Sequence, residues 1–143
     1  KRGHMLVSDD IVEITKRSGH ILIGKSAGIS KHHMEIRGIG IIDVQRMFGV
    51  ANILDESKIE LVINLIEWDA AKNHERLGID EHYTDILGVN VPELTIPVGA
   101  GRNLAIIVET ASLNQRLKNR GHFSALELSK KLIAQMNKSK NEK

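Results

Sequence analysis

The segment Glu35–Val44 joins charged side chains, glycines and an apolar run in a way that suits a site for a charged ligand. A carboxylate at Glu35 and a guanidinium at Arg37 lead into Gly38 and Gly40, which allow a tight turn or a close approach of the backbone to a ligand. Burying a charge is costly unless it is paired or binds a metal. The segment is therefore either a ligand-binding element or a buried strand with charged ends, and its residues by themselves favour the strand.

Two adjacent carboxylates, Asp9 and Asp10, follow the apolar residues Met5–Val7. In open α/β sheets, ligand-binding residues lie at the carboxyl ends of strands. A carboxylate placed there can accept the proton of a hydroxyl group that is being phosphorylated. Neighbouring residues of an extended segment face opposite ways, so we expect only one of the two to face a substrate. Taken alone, the pair is better explained as capping a turn.

Three weaker candidates lie elsewhere in the chain. The glycine-rich stretch Pro97–Arg102 precedes a helix, where backbone N–H groups and the helix dipole can bind an anion. Arg76 offers a planar guanidinium that fits phosphoryl oxygens, although a lone arginine in a polar loop is usually an exposed side chain. His32 and His33 stand close to Glu35, but we expect them to be solvated because no second cluster supports a zinc site.

The segment Gly19–Ser26 matches the phosphate-loop spacing G-x-x-x-x-G-K-S, yet its residues argue against that function. The bulky, β-prone residues Ile21–Ile23 occupy positions where such a loop must leave its N–H groups free. The following residues, Ala27–Ser30, are a poor start for the helix that the motif requires. We therefore predict a strand here, with Lys25 an ordinary solvated side chain.

The apolar pattern predicts several strands before the helices begin. Strands are expected over Met5–Val7, Ile11–Thr15, Ile21–Ile23, Gly40–Val44, Lys58–Trp68 and Val91–Val98, the last with Pro92 and Pro97 marking its ends. The polar, glycine-punctuated residues Asp69–Asn90 are typical of a long functional loop.

Helical patterns occupy one short segment and the end of the chain. Helices are expected as a single turn over Val44–Phe48 that Gly49 ends, then over Arg102–Arg120, and from Ser124 onward. The apolar stripe of the last helix is expected to pack back on the body of the protein; its members are Ala125, Leu128, Leu132 and Met136. Strands first and helices last indicate an α/β or α+β fold.

The composition is ordinary for a soluble globular protein of 143 residues, with 41% hydrophobic and 27% charged residues. The 20 basic and 18 acidic residues are interspersed, and the net charge of +2 gives no indication of nucleic-acid binding. The apolar runs are too short to span a bilayer. Because there are no cysteines and no signal-peptide pattern, we expect no membrane association and a cytoplasmic location.

The segment Glu35–Val44 resembles the signature stretch of the HPr kinase/phosphorylase family. These bacterial enzymes phosphorylate, and dephosphorylate, a serine of the phosphocarrier protein HPr. Further resemblances follow in the same order along most of the chain: Lys1–His4 with Leu6, Val7, Asp9 and Asp10; Ile63–Leu65 with Trp68; Arg76–Gly78; Ile96–Val98; Gly101–Ala105; and Asn114, Arg116 and Leu117.

The resemblance implies a role for each candidate. Asp10 corresponds to the base that accepts the serine proton, Glu35 to the magnesium ligand, and Arg76 to an active-site arginine. The stretch that serves catalysis in both directions comprises Met34, Glu35, Ile36, Arg37, Gly38, Ile39, Gly40, Ile41, Ile42 and Asp43. The loop that serves dephosphorylation comprises Pro97, Val98, Gly99, Ala100, Gly101 and Arg102. Gly99 departs from the family pattern, which usually has a basic residue there.

The resemblance also implies an α/β fold, a P-loop kinase domain of the phosphoenolpyruvate carboxykinase type. The family's phosphate loop precedes the part that this chain resembles, so residues 1–143 are expected to be the C-terminal larger part of one catalytic domain. The implied ligands are Mg²⁺ and ATP, or pyrophosphate as phosphoryl donor; HPr is the implied partner and a homohexamer the implied assembly. Two alternatives remain open: a non-catalytic HPr-binding or regulatory module without a nucleotide site, and another P-loop kinase that acts on a small molecule.

Overall fold

The computed structural model describes residues 3–67 and 81–141. Strands and helices are mixed, in agreement with the expected α/β or α+β class. The strands of these residues are β1 (Val12–Arg17), β2 (Ile21–Ser26), β3 (His33–Ile36), β4 (Gly40–Asp43), β5 (Glu56–Lys58), β6 (Val62–Glu67), β7 (His82–Ile86) and β8 (Val89–Val98). The helices are α1 (Val44–Phe48), α2 (Leu104–Lys118) and α3 (Ser124–Asn141), with 3₁₀ turns over Gly28–Ser30 and Val50–Asn52.

The chain forms two compact units. The first contains residues 3–59 and 85–90, with the antiparallel sheet β1-β2-β5 and the separate hairpin β3–β4. Its central strand is β2, where Leu22 is only 1% exposed. Gly24 is also buried in β2, and a Cβ atom at this position would lie 3.0 Å from Cγ1 of Val12. A larger residue at 24 would therefore displace its neighbours in the sheet.

Strand β2 (Ile21–Ser26) confirms the strand expected within the segment Gly19–Ser26, whose first two residues lie in a turn. Ile21, Leu22 and Ile23 pair in antiparallel register with residues of β1, and Ile23 also lies opposite Lys58 of β5. Backbone groups that are used in a sheet ladder cannot surround a phosphate. Lys25 is exposed, and its Nζ lies 3.0 Å from Oε2 of Glu13.

The second unit contains residues 60–67, 81–84 and 91–141. In its sheet β8 lies between β6 and β7, and β6 and β8 are parallel. The side-chain amide of Asn64 on β6 donates to Oε1 of Glu93 on β8. Helix α2 begins at Leu104, and the side chain of Asn103 caps it by accepting a hydrogen bond from the amide of Ile106.

The expected strand Lys58–Trp68 is wrong as a single element, because the chain leaves one unit and enters the other within it. Lys58 ends β5, and the amide of Ile59 donates to the carbonyl of Leu22 in the first sheet. Strand β6 begins only at Val62, where pairing with β8 starts. Trp68 lies outside the described residues.

The expected long loop Asp69–Asn90 is also partly wrong. Residues 82–86 form β7, and a turn at Leu87 and Gly88 leads into β8, which begins at Val89. Pro92 therefore lies inside a strand and does not mark its start. Residues 69–80 lie outside the described part of the chain.

Smaller corrections concern the two ends of the chain. The expected strand Met5–Val7 is reduced to one parallel bridge between Leu6 and Ile53. Helix α3 begins at Ser124 as expected, but its apolar stripe is not covered: about half or more of each of three side chains is exposed, namely Leu128, Leu132 and Met136. No helix in the described ranges is long and apolar enough to cross a membrane.

A pair of substitutions in β2 tests its assignment as a structural strand. We expect Lys25→Ala to change the free energy of unfolding by less than about 1 kcal/mol, since it removes one exposed ion pair, and to leave affinity for ATP unchanged. Leu22→Ala should destabilise the protein by about 2–5 kcal/mol, because it leaves a cavity in the core. Chemical denaturation and nucleotide titration measure both effects. A large loss of ATP affinity in Lys25→Ala would contradict the assignment.

Candidate functional site

The adjacent carboxylates Asp9 and Asp10 lie in a bend, Ser8–Ile11, which we call the acidic bend. The hydroxyl of Ser8 donates to the carbonyl oxygen of Ile11 at 2.8 Å and so closes the bend. The same carbonyl accepts a hydrogen bond from the amide of Ala27 at 3.4 Å, next to the end of β2. The bend is thus held against the first sheet.

The backbone of Leu6, which precedes the acidic bend in the sequence, is also fixed by hydrogen bonds. The amide of Leu6 donates to the carbonyl of Asn52 at 2.9 Å, and its carbonyl accepts from the amide of Leu54 at 2.8 Å. The chain is therefore anchored before and after the two carboxylates. Fixed backbone on both sides limits the positions that the Asp9 and Asp10 side chains can reach.

Asp9 links the acidic bend to the hairpin β3–β4, which we call the signature hairpin (His33–Asp43). Its Oδ2 accepts a hydrogen bond from the backbone amide of Glu35 at 2.8 Å. Glu35 lies opposite Ile41 in the hairpin. In an antiparallel pair, alternate residues turn their N–H groups away from the partner strand. Asp9 therefore satisfies an amide that donates away from β4.

Asp10 differs from its neighbour. Its side chain is exposed, and none of the described residues donates a hydrogen bond to it or forms an ion pair with it. Of the two adjacent carboxylates, Asp9 is used in a structural contact, whereas Asp10 has no such contact within the described ranges. Sequence reasoning selected Asp10 and missed the role of Asp9, although the alternation of side chains in an extended segment gave a hint of it.

The signature hairpin has two different faces, because its residues alternate between them. One face carries Glu35 and the cross-strand neighbour Ile41; the other carries Met34, Ile36 and Ile42, which are half-buried. The side chain of Ile41 is 75% exposed. The expected strand Gly40–Val44 is present as β4 (Gly40–Asp43). The segment Glu35–Val44 as a whole is not one buried strand, because it reverses direction and leaves one face in solvent.

The tip of the hairpin is formed by Arg37, Gly38 and Ile39, all exposed. The amide of Ile39 donates to the carbonyl of Ile36 at 2.9 Å, which closes the turn. Gly38 has φ = 87°, a left-handed conformation that favours glycine. This turn is what separates the apolar residues of the segment onto two strands.

Asp43 ends β4 and begins α1. Its Oδ1 accepts from the amide of Arg46 at 2.9 Å, and its Oδ2 lies 3.2 Å from Nε of the same residue. The Asp43 carboxylate therefore caps a helix, and α1 covers the expected residues Val44–Phe48. Asp43, the last residue of the stretch Met34–Asp43, therefore has a clear structural function.

His32 lies at the base of the hairpin and is largely buried. The expectation that its side chain is solvated is therefore wrong. Its side chain is 17% exposed; Nδ1 lies 3.0 Å from Oε1 of Gln45, and Nε2 lies 3.4 Å from Oδ1 of Asp55. Its carbonyl accepts from the amide of Val44, which ties the start of β3 to α1. Nζ of Lys31 lies 2.7 Å from Oδ1 of Asp55 and lowers the pKa of the Asp55 carboxyl by hydrogen bonding and by its charge. The tertiary partners of His32 explain its burial.

The loop Pro97–Arg102 belongs to the second unit and is closed by its own last residue. Nη1 of Arg102 donates to the carbonyl of Pro97 at 2.8 Å, and the Arg102 amide donates to the carbonyl of Gly99 at 3.4 Å. Gly101 has φ = 80°, which permits this tight return. The Arg102 guanidinium thus shapes the loop that leads into α2.

The described carboxylates and imidazoles form no ready-made metal centre. Among these residues no group of three or more histidine, aspartate or glutamate side chains converges to hold an ion. Mg²⁺ needs only one or two protein carboxylates when phosphates and water complete its shell. The exposed carboxylate of Glu35, on a backbone that Asp9 fixes, meets that requirement.

Arg76 lies outside the described residues, but the residues that follow that segment form a charged group. The hydroxyl of Tyr83 donates to Oε2 of Glu81 at 2.6 Å, and Nζ of Lys118 lies 3.3 Å from Oε1. The Tyr83 hydrogen bond, together with Lys118, lowers the pKa of Glu81. The same hydrogen bond, with partial desolvation and the carboxylate charge, raises the pKa of Tyr83.

Comparisons with known proteins agree with the resemblance of the sequence. The family model described as HPr Serine kinase C-terminal domain matches residues 1–132. A protein of Thermoanaerobacter sp. (strain X514) named HPr kinase/phosphorylase is 52% identical over 136 residues, which cover 95% of this chain and 45% of the relative. A protein of the same name from Treponema pallidum (strain Nichols) is 48% identical over 139 residues, covering 95% of this chain and 43% of the relative.

A solved structure described as the Hpr(Ser) kinase/phosphatase from Coxiella burnetii matches with a TM-score of 0.76 and 34% identity, covering 89% of this chain and 77% of that one. The chain belongs to the HPr serine kinase C-terminal domain family. It spans less than half the length of the curated relatives named above.

The charged group at Glu81 gives a prediction about pH. We expect Tyr83 to titrate above its usual value near 10, because ionisation breaks a hydrogen bond and brings two negative charges together. The tyrosinate absorbance of the protein minus that of Tyr83→Phe isolates this residue. Glu81→Ala should return its pKa toward the usual value. A titration of Tyr83 that Glu81→Ala leaves unchanged would show that the contact does not persist in solution.

Proposed function

We propose that the protein containing this chain is a bifunctional enzyme that phosphorylates a serine of HPr and reverses this reaction by phosphorolysis. Family membership supports the proposal, since the curated relatives are named HPr kinase/phosphorylase. The single observation that carries it is the hydrogen bond between Asp9 and the Glu35 amide. This bond holds the neighbouring carboxylate of Asp10, which has no partner among the described residues, beside a hairpin that offers another.

In the forward direction, Asp10 is the proton acceptor. As the phosphoryl group of ATP, or of pyrophosphate, reaches the serine oxygen, the serine O–H bond breaks and its proton passes to a carboxylate oxygen of Asp10. The bond between the transferred phosphorus and the bridging oxygen of the donor breaks, and ADP or phosphate leaves. An exposed carboxylate without a competing partner among the described residues is suited to this transfer.

In the reverse direction, the same carboxylate starts protonated. Inorganic phosphate attacks the phosphorus of phosphoserine, the bond between phosphorus and the serine oxygen breaks, and Asp10 returns a proton to that oxygen. Pyrophosphate is then the second product. One group therefore serves both directions; for pyrophosphate as phosphoryl donor the two directions are the same reaction reversed, so microscopic reversibility requires this.

Glu35 is the residue that would hold Mg²⁺. When bound, the ion neutralises charge on the phosphates and orients them. The protein's contribution is to present the Glu35 carboxylate on an exposed hairpin face while its backbone stays fixed by Asp9. The remaining residues of the signature hairpin shape this face and its tip.

Arg76 and the loop Pro97–Arg102 complete the proposal. A guanidinium at Arg76 would stabilise charge on the transferring phosphoryl group, and the loop would admit phosphate for the reverse reaction. We place the nucleotide phosphates outside Gly19–Ser26, because Ile21–Ser26 of that segment form a strand. The chain would be the C-terminal larger part of a P-loop kinase domain of the phosphoenolpyruvate carboxykinase type, in a cytoplasmic homohexamer.

Replacing the proposed base tests the catalytic role directly. We expect Asp10→Asn to slow both phosphorylation of HPr and phosphorolysis of phosphoserine-HPr by on the order of 10² to 10⁴, with little change in thermal stability. Initial rates on the full-length protein measure both directions. Glu13→Gln, which removes another exposed carboxylate, is the control. Near-normal turnover of Asp10→Asn would refute the role; a wild-type protein that binds HPr without transfer would favour a binding module instead.

A second substitution tests the magnesium ligand. We expect Glu35→Gln to raise the Mg²⁺ concentration required for half-maximal activity in both directions, because a neutral amide replaces a charged ligand. Titration of activity against Mg²⁺ reports this directly, again beside Glu13→Gln. If the two variants gave the same titration curve, Glu35 would have only a structural function.

A further inference from the structure

Asp9 is engaged in a contact that the proposed mechanism does not use. Its Oδ2 accepts the Glu35 amide at 2.8 Å, across 26 positions of sequence. We propose that Asp9 is a positioning residue, which fixes the backbone of Glu35 relative to Asp10 and so sets how well Glu35 holds magnesium beside the proton acceptor. This inference rests on the proposed function, in which Glu35 binds the ion.

The connection between the two proposed functional residues is short. Asp9 and Asp10 are consecutive, so their Cα atoms are about 3.8 Å apart. One side chain and one hydrogen bond then join the backbone of Asp9 to that of Glu35. Because the acceptor is a carboxylate, the hydrogen bond is stronger than one between neutral groups. Few flexible torsions therefore separate the backbone of Asp10, the proposed proton acceptor, from that of Glu35, the proposed magnesium ligand.

The hairpin needs such a contact. It is a two-stranded sheet, and an isolated hairpin of two strands is only marginally stable in water. His32 and Asp43 hold its base against α1. Asp9 holds β3 nearer to the tip, and it does so at the residue whose side chain has the proposed function. Loss of this contact should let Glu35 move while the end of the hairpin next to α1 stays in place.

A competing explanation is that Asp9 is itself a magnesium ligand. The two explanations differ in whether asparagine can take over the function of Asp9. Asparagine keeps a side-chain oxygen that accepts the Glu35 amide but lacks the charge that a metal ligand supplies. Alanine removes both. Comparing Asp9→Asn with Asp9→Ala therefore separates positioning from ligation.

The experiment uses the full-length protein and two measurements. In the Mg²⁺ titration of HPr phosphorylation, we expect Asp9→Ala to raise the concentration for half-maximal activity by about 10-fold or more, and Asp9→Asn to stay within about 3-fold of wild type, since partners of metal ligands typically contribute 10–100-fold. In amide hydrogen exchange, Glu35 should be protected in wild type and Asp9→Asn and should exchange faster in Asp9→Ala. The second measurement needs no activity.

Each outcome is decisive. Equal loss of Mg²⁺ affinity in Asp9→Asn and Asp9→Ala would overturn positioning in favour of ligation, and wild-type behaviour of both variants would show that Asp9 has no role. If Asp9→Ala does not fold, an unprotected Glu35 amide in Asp9→Asn would still refute the inference. Failure of the proposed function is distinct. It would appear as an unchanged Mg²⁺ titration in Glu35→Gln, whatever the exchange rate of the Glu35 amide in the Asp9 variants.

Discussion

The hydrogen bond from the Glu35 amide to the Asp9 carboxylate is the constraint on which the candidate site depends. The acidic bend is anchored through Leu6 on one side and Ile11 on the other, so it provides a fixed platform. The signature hairpin has little support of its own, because a two-stranded sheet has only one ladder. Joining the hairpin to the platform places Glu35 next to the acidic bend, although Glu35 and Asp9 are 26 positions apart in the sequence.

The side chains of the signature hairpin alternate between two faces, which explains how a charged residue can have a fixed backbone without being buried. Met34, Ile36 and Ile42 face one way and are half-buried, whereas Glu35 faces the other way and remains in solvent. Its carboxylate avoids the cost of desolvation, and its backbone is still held by Asp9. The proposed phosphoryl transfer would depend on positioned charges more than on covalent chemistry by the protein, and an exposed carboxylate on a fixed backbone suits that requirement.

Sequence reasoning predicted those elements whose signals are local. The β-prone residues Ile21–Ile23 indicated a strand in spite of the phosphate-loop spacing, and Gly49 marked the end of α1 correctly. The strand expected over Gly40–Val44 is confirmed as β4, but its exposed face was not predicted, because apolar residues alone do not show which face meets solvent. Strand β7 was missed since its residues, His82–Ile86, have little apolar alternation and are ordered by pairing with β8. The partner of Asp9 lies 26 positions away and leaves no trace in a local pattern.

The central claim is that Asp10 and Glu35 act on the same phosphoryl transfer in one site. A double-mutant cycle tests this most directly: kcat/KM for HPr phosphorylation is measured for wild type, Asp10→Asn, Glu35→Gln and the double variant at one Mg²⁺ concentration. Residues that act as a unit give strongly non-additive losses. The account predicts a double variant about as slow as the slower single variant. A double variant whose loss equals the product of the two single losses would contradict it.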